Sequence, residues 1–320
     1  MHYFNSTVLK IYHHISEFNK LDNAVAAIGT FDGVHYGHQK IIKRLCEIAA
    51  TTGGETVIVT FFPHPRSIID PENQDLKMIN TIAEKATMLE SLGVDHLIIT
   101  PFTRDFSNLS AEEYIKDVLV GTIGIKHLIV GYDHRFGKDR KGGMAELIKY
   151  SAPLGYQVEE IPEQDINDVS VSSTKIRKAL LSGDVALAAE FLGYHFSLYG
   201  RVIKGDKIGR TIGFPTANIF IEESYKLIPS DGIYAVTIGM NGDTYKGMAY
   251  IGQRPTINGM TRNIEVNIFD FNQEIYGQYV TMYFMEFLRH DVKFTGLEAL
   301  KEQLKEDKQA TLAYFEKHRG

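Results

Sequence analysis

Up to about residue 182 the sequence alternates short runs rich in β-branched residues with longer stretches of helical period, and no hairpin signal interrupts them. Parallel strands need a crossover between them, so this alternation restricts the first half to a parallel sheet covered by helices. Apolar runs at Ala24–Ile28, Val57–Phe62, Val94–Thr100, His127–Val130 and Val158–Ile161 are the expected buried strands. Between them, Gln39–Thr52 places Ile41, Leu45, Ile48 and Ala49 on one face, with Lys40, Lys43, Arg44 and Glu47 elsewhere, as in an amphipathic helix. Ile82–Leu92, Ala111–Leu119, Met144–Pro153 and Thr174–Leu181 follow the same pattern less regularly. In such sheets ligands bind at the carboxyl ends of the strands, so the loops there are the expected site.

After Ser182-Gly183-Asp184 and a short helical stretch to about Leu192, the texture changes. From Ser197 to Arg289 short alternating strands are broken by glycine turns, and Met240-Asn241-Gly242-Asp243 carries the Asn-Gly of a tight hairpin. Evenly spaced antiparallel strands imply a small closed barrel. Gly296–Lys317 returns to helical spacing, with Leu297, Leu300, Leu304, Leu312 and Phe315 expected to pack on that barrel. The boundary is expected near 183–196, giving domains 1–186 and 187–320.

Composition narrows the partners. The 320 residues are 44% hydrophobic and 23% charged, as in ordinary globular proteins, and the net charge of -6 offers no basic field for a nucleic acid. The partners expected are therefore small. A single cysteine, Cys46, excludes an intramolecular disulfide framework and reads as a structural thiol in a reducing compartment. No apolar window reaches the roughly 18 residues of a spanning helix, and the N-terminal stretch lacks a secretory pattern, so the expected location is cytoplasmic, without a membrane.

The loop after the first long strand reads Gly29-Thr30-Phe31-Asp32-Gly33-Val34-His35-Tyr36-Gly37-His38 and enters the amphipathic helix directly. Glycines allow close backbone approach, and a helix N-terminus suits phosphate. His35 and His38, three apart, can face the same way and stabilise negative charge developing on a phosphate. These ten residues resemble the signature of the nucleotidyltransferases that adenylylate flavin, Gly-Thr-Phe-Asp-Gly-Val-His-x-Gly-His. Further segments resemble that family in order: Phe61–Arg66 with its Pro-His-Pro, Phe102–Ile115, Val130–Gly137, and Val171–Arg177 opening the last helix. The resemblance implies that Gly29, Phe31, Asp32 and Gly33 line the nucleotide. It also implies that Ser172, Ser173, Thr174 and Arg177 hold phosphates opposite His35 and His38, and that His64, Pro65, Asp133 and Phe136 lie on the flavin side. By themselves, Ser172 and Ser173 also read as plain helix caps, and Asp133 as a turn residue. His134 stands where the family usually has an aromatic residue.

No Gly-x4-Gly-Lys-Ser/Thr loop exists in the sequence, so any phosphoryl transfer needs another framework. Thr216 and Asn218, two apart on an expected strand, present a hydroxyl and an amide oxygen to one face; these are hard ligands suited to Mg²⁺, or simply polar strand residues. Gly209–Asn218 resembles the Gly-Arg-x-x-Gly-Phe-Pro-Thr-Ala-Asn motif of riboflavin kinases. That resemblance implies nucleotide binding by Gly209, Arg210, Gly213, Pro215, Thr216 and Asn218, with Thr216 and Asn218 contacting the metal. Glu265 alternates with Ile264 and Val266 and by pattern alone is a solvent-facing strand residue. The resemblance makes it the general base. Asn267 stands where that family often has His.

The resemblance as a whole is to bifunctional riboflavin kinase/FMN adenylyltransferases, covering about residues 25–310. It implies an α/β fold with a Rossmann-like parallel-sheet nucleotidyltransferase domain, then a six-stranded antiparallel β-barrel with a terminal helix. It further implies ATP, riboflavin, FMN and FAD as substrates and products, Mg²⁺ as cofactor, and a monomer or weak homo-oligomer. The alternative is that one site alone is active, the barrel serving as a flavin-binding or regulatory module.

Overall fold

The computed structural model describes residues 8–69, 76–132, 134–162, 171–205, 208–256 and 259–318. The chain divides into two compact units, Met1–Ser173 and Thr174–Gly320.

The first unit is built on six parallel strands: β1 (Lys10–Tyr12), β2 (Ala24–Ile28), β3 (Glu55–Phe61), β4 (His96–Thr100), β5 (Ile125–Gly131) and β6 (Gln157–Ile161), in the order β1-β4-β3-β2-β5-β6. Five are the expected strands. Only β1 has no sequence signal, because a three-residue edge strand pairing with β4 is too short to show a period. Every residue of β2 and β4 is buried, since the sheet is covered on both faces. Ala24, Ala26, Val57, Val59 and Ile98 pack on one side, and Val25, Ala27, Ile58, Leu97 and Ile99 on the other. Helix α1 (Tyr36–Thr52) buries Ile41, Ile42, Leu45, Ile48 and Ala49 against the second side. Helix α2 (Ile82–Ser91) begins with a reciprocal cap between Thr81 and Glu84. The expected helix at 111–119 is a short α turn, Ala111–Glu113, continuing as a wider π-helical stretch, Tyr114–Ile123.

The strand order reverses at β2, with β3 and β4 on one side and β5 and β6 on the other. The crevice at the carboxyl end of β2 is where such a sheet binds ligands, and the Gly29–His38 loop leaves from that end.

In the second unit, α3 (Ser173–Leu181) and α4 (Val185–Leu192) precede a closed antiparallel barrel. Its strands are β7 (Ser197–Ile203), β8 (Ala217–Phe220), β9 (Gly232–Met240), β10 (Asp243–Thr256), β11 (Gly259–Ile268) and β12 (Tyr279–Arg289), in the order β10-β11-β8-β7-β12-β9. The expected hairpin closes β9 onto β10 with Met240 opposite Asp243. Asn241 and Gly242 both take positive φ, 53° and 87°, which is why Asn-Gly sits there. The terminal helix α5 (Leu297–Lys317) corrects one expectation: Leu297 and Leu312 are exposed, at 56% and 39%. Its most buried residues are Asp307 and Thr311, because Arg289 at the end of β12 clamps the Asp307 carboxylate with two 2.7 Å hydrogen bonds.

Candidate active sites

In the first unit the loop after β2 is fixed from several directions. Phe31 and Val34 adopt φ of 44° and 36°, a strained left-handed region for L residues, and both side chains are buried. The surrounding bonds hold that conformation. Gly29 donates its N–H to the Val59 carbonyl at 3.0 Å, and the Gln39 amide donates to the Val34 carbonyl at 2.9 Å. The fully buried Asp32 carboxylate accepts the Ile79 N–H at 2.9 Å, and the Asp32 carbonyl accepts the Ser173 hydroxyl at 2.9 Å. Asp32 therefore fixes the loop, and Ser173, the last residue of the first unit, is tied to it.

The outcome is a stacked histidine pair. His35 occupies the N-cap of α1 without capping through its side chain, and its ring lies 3.7 Å from that of His38 at an interplanar angle of 18°. Phe31 supports His38 from 4.9 Å. Both Nδ1 atoms are buried without a hydrogen-bond partner among the described residues. Burial lowers the His35 pKa from 6.5 to about 4; His38 is pushed well below 6.5 by burial, by His35 and by Lys85. Both rings are therefore neutral at pH 7, and act toward an anion as hydrogen-bond donors beside the helix N-terminus.

Sequence reasoning missed Lys85. It is fully buried, and its ammonium donates to the Thr30 carbonyl at 2.6 Å and the Thr60 hydroxyl at 3.1 Å. The signal was present: Lys85 falls with Ala86 and Leu89 on the inward stripe of α2, where an apolar residue is expected.

The flavin-side residues are more dispersed. The His64 ring accepts the Arg66 N–H at 3.1 Å, and Pro65 opens the short helix Pro65–Ile69. Beside them lies a cavity of about 540 Å³ bounded by Pro63, Ser67, Ile68, Pro101, Phe102, Thr103 and Arg104; His64, Pro65 and Phe136 do not line it. Phe136 is buried against Tyr114 at 5.1 Å and stacks with His134 at 5.6 Å. Asp133 lies outside the described residues. Ser172 precedes α3, and Thr174 and Arg177 occupy its first turns, Thr174 exposed and Arg177 half-buried. Cys46 is half-buried near the Leu92 and Gly93 carbonyls with its thiol pKa pushed up to about 11, the state of a structural thiol.

In the barrel, Glu265 and Asn218 are opposite each other in register across β11 and β8. The Thr216 hydroxyl donates to Glu265 Oε2 at 2.8 Å, and the Asn263 amide donates to Oε1 at 2.5 Å. Glu265 is thus held in a polar cluster, unlike a plain solvent-facing strand residue. The Asn267 amide donates to the Pro215 carbonyl at 2.7 Å, tying the Gly209–Asn218 segment to β11. A side chain at Gly205 would run into the Asn218 amide, so glycine permits the close approach there. Arg210, Gly213 and Pro215 lie at the surface.

Thr216, Asn218, Glu265 and Gly209 line one part of a cavity of about 360 Å³. Ile233, Met248, Val292, Phe294, Leu300 and Leu304 supply an apolar lining, and the Arg289 and Asp307 pair also borders it. Among the described residues no group of three His, Cys, Asp or Glu side chains could hold a metal alone. The oxygens of Thr216 and Asn218 nevertheless fit Mg²⁺, which commonly takes few protein ligands and shares itself with substrate phosphates.

A strained histidine loop at the switch point of a parallel sheet in one unit, and in the other a barrel cavity where Glu265 sits among hydroxyl and amide groups, define a two-module nucleotide-handling enzyme. Residues 17–175 match the FAD synthetase family model and residues 192–315 the riboflavin kinase model. The chain is 41% identical over 296 residues to the bifunctional riboflavin kinase/FMN adenylyltransferase of Listeria monocytogenes, covering 92% of this chain and 93% of that one. With the protein of the same description from Bacillus subtilis it shares 38% over 308 residues, covering 95% and 96%. A solved structure from Streptococcus pneumoniae, described as a macrolide-efflux protein, superposes with a TM-score of 0.87 at 32% identity, over 95% of this chain and 98% of that one. The chain belongs to the family of bifunctional riboflavin kinase/FMN adenylyltransferases.

Proposed function

We propose that the barrel converts riboflavin and ATP to FMN and ADP, and that the parallel-sheet module converts FMN and a second ATP to FAD and pyrophosphate. The observation that carries the kinase half is Glu265, oriented by Thr216 and Asn263 at a cavity with one polar and one apolar part. A flavin has that same division, an apolar ring system and a hydroxylated chain. Glu265 accepts the proton of the riboflavin 5′-hydroxyl as that oxygen attacks the γ-phosphorus. Thr216 and Asn218 hold the metal nucleotide, with Gly209, Arg210, Gly213 and Pro215 forming the segment over its phosphates. Mg²⁺, when bound with the nucleotide, neutralises charge on the phosphate oxygens.

In the other module the FMN phosphate is the nucleophile, and it attacks the α-phosphorus of ATP as the bond to pyrophosphate breaks. No strong protein base is required. His35 and His38 donate hydrogen bonds to oxygens gaining charge, and the start of α1 adds its positive end. Ser172, Ser173, Thr174 and Arg177 hold the phosphates from α3, while Gly29, Phe31, Asp32 and Gly33 shape the loop. His64, Pro65, Asp133 and Phe136 are assigned to the flavin side. We place the functional boundary at 186/187, in the interval between a family match that ends at residue 175 and one that begins at residue 192. The protein so read is a cytoplasmic monomer or weak homo-oligomer with small-molecule partners, and it binds neither nucleic acid nor membrane.

The test is incubation with Mg-ATP and either riboflavin or FMN, followed by separation of the flavins. FMN and FAD are expected from the first and FAD from the second; absence of either product removes the corresponding half.

A further inference from the structure

Burying an ammonium is unfavourable unless something in the structure needs the charge, and a methionine or leucine would satisfy the inward stripe of α2 without it. Lys85 is nevertheless fully buried, and both its hydrogen-bond partners are neutral: the Thr30 carbonyl and the Thr60 hydroxyl. Thr60, near the carboxyl end of β3, itself donates to Thr30 at 3.0 Å. Two groups, the Thr60 hydroxyl of β3 and the Lys85 ammonium of α2, therefore converge on one loop carbonyl, immediately before the left-handed turn of Phe31–Val34 that presents His35 and His38.

The charged neighbours of this ammonium are also defined. Asp32 attracts it from the same loop, and Lys85 together with His35 opposes protonation of His38. Burial lowers the lysine to about 8, so it remains largely charged at neutral pH. Screening by water is weak at a buried site, so its potential reaches His38 in the first turn of α1, where the helix N-terminus is also positive.

We propose that Lys85 is a positioning residue for adenylyl transfer: its ammonium anchors the Thr30 carbonyl and supplies a fixed positive field that holds the reacting phosphates against neutral His35 and His38. This rests on reading the loop as the adenylyl-transfer site.

The test uses the full chain and compares Lys85→Met, which keeps the bulk and removes the charge, with Thr60→Val, which keeps the charge and removes one hydroxyl. Lys85→Met is expected to lower kcat for FAD formation from FMN and Mg-ATP by about a hundredfold, as for loss of one oriented electrostatic group. The KM for FMN should stay within about threefold, measured at a temperature where the variant is shown to be folded. Thr60→Val is expected to retain most of kcat. In NMR titrations the His38 imidazole should protonate at higher pH in Lys85→Met than in the wild type, a change that a packing role would not produce. A folded Lys85→Met with wild-type kcat and an unmoved His38 titration would overturn the proposal, as would equal losses of kcat in the two variants. If methionine is not tolerated, Lys85→Gln keeps a neutral donor for Thr30, and wild-type kcat in that variant would overturn the proposal equally. Should the wild type form no FAD from FMN, the adenylyl-transfer reading fails on its own, while the His38 titration still reports on Lys85.

Discussion

The Thr216 hydroxyl donates to the Glu265 carboxylate across 2.8 Å, joining the residue before β8 to the middle of β11. Since Asn263 holds the other carboxylate oxygen, Glu265 is oriented before any substrate arrives. Pre-orientation of a base is what makes its contribution large. Glu265→Gln preserves the shape and removes the basicity, and is expected to lower riboflavin phosphorylation by about 10²–10⁴-fold. Its FAD formation from supplied FMN should be unchanged. Steady-state rates on the two substrates check both statements.

In the proposed adenylyl transfer His35 and His38 are neutral donors, so truncation of one leaves charge on the reacting phosphates less well compensated. His38→Ala is expected to lower FAD formation by about 10²–10³-fold, the range for losing one donor to a developing oxyanion. Riboflavin phosphorylation should continue at its normal rate, so FMN accumulates. Equal loss of both activities would contradict separate sites.

Burial of the histidines also sets the acid stability of the first unit. His35 is neutral in the fold down to about pH 4, whereas in the unfolded chain it binds a proton below about 6.5. Between these values the unfolded state holds more protons, so stability falls as pH drops from 6.5 toward 4, by roughly 3 kcal/mol for His35. His38 acts in the same direction. Lys85 works at the opposite end: its pKa is about 8 in the fold against 10.5 unfolded, so its burial penalty is relieved as pH rises through that interval. Urea unfolding of the full chain, followed by a probe in the first unit across pH 4–7, should show the acid loss, and His35→Gln should flatten it.

The Arg289 and Asp307 clamp is the principal polar anchor between β12 and α5. Asp307 is 3% exposed and Arg289 retains 21% exposure at its side chain, so Asp307→Ala is expected to cost about 2–4 kcal/mol, below the range for a fully buried pair. Because Leu300 and Leu304 of the same helix line the barrel cavity, riboflavin affinity should fall with it. Thermal unfolding and flavin titration measure the two effects.

The legible parts of the molecule were those where one local rule decides the outcome. Buried parallel strands read as continuous apolar runs, and Ala24–Ile28 has the expected bounds because both of its faces are covered. Asn241-Gly242 was legible because few pairs adopt two successive positive φ angles. The histidine loop and the Thr216, Asn218 and Glu265 set were legible through their motifs. Lys85 was not, because a lysine at helical spacing is ordinarily solvated, and only the convergence of α2, β3 and the loop buries it. Nor was the inward face of α5: the leucine spacing outweighed Asp307, whose burial depends on an arginine eighteen positions away.

The most direct test of two independent ATP-using sites is a single incubation series. Wild type, Glu265→Gln and His38→Ala would each receive riboflavin or FMN with Mg-ATP, with flavins quantified over time. The account predicts FAD from both substrates in the wild type, FAD from FMN alone in Glu265→Gln, and accumulation of FMN from riboflavin in His38→Ala. FAD formation from riboflavin at the wild-type rate in Glu265→Gln, or loss of both activities in either variant, would contradict it.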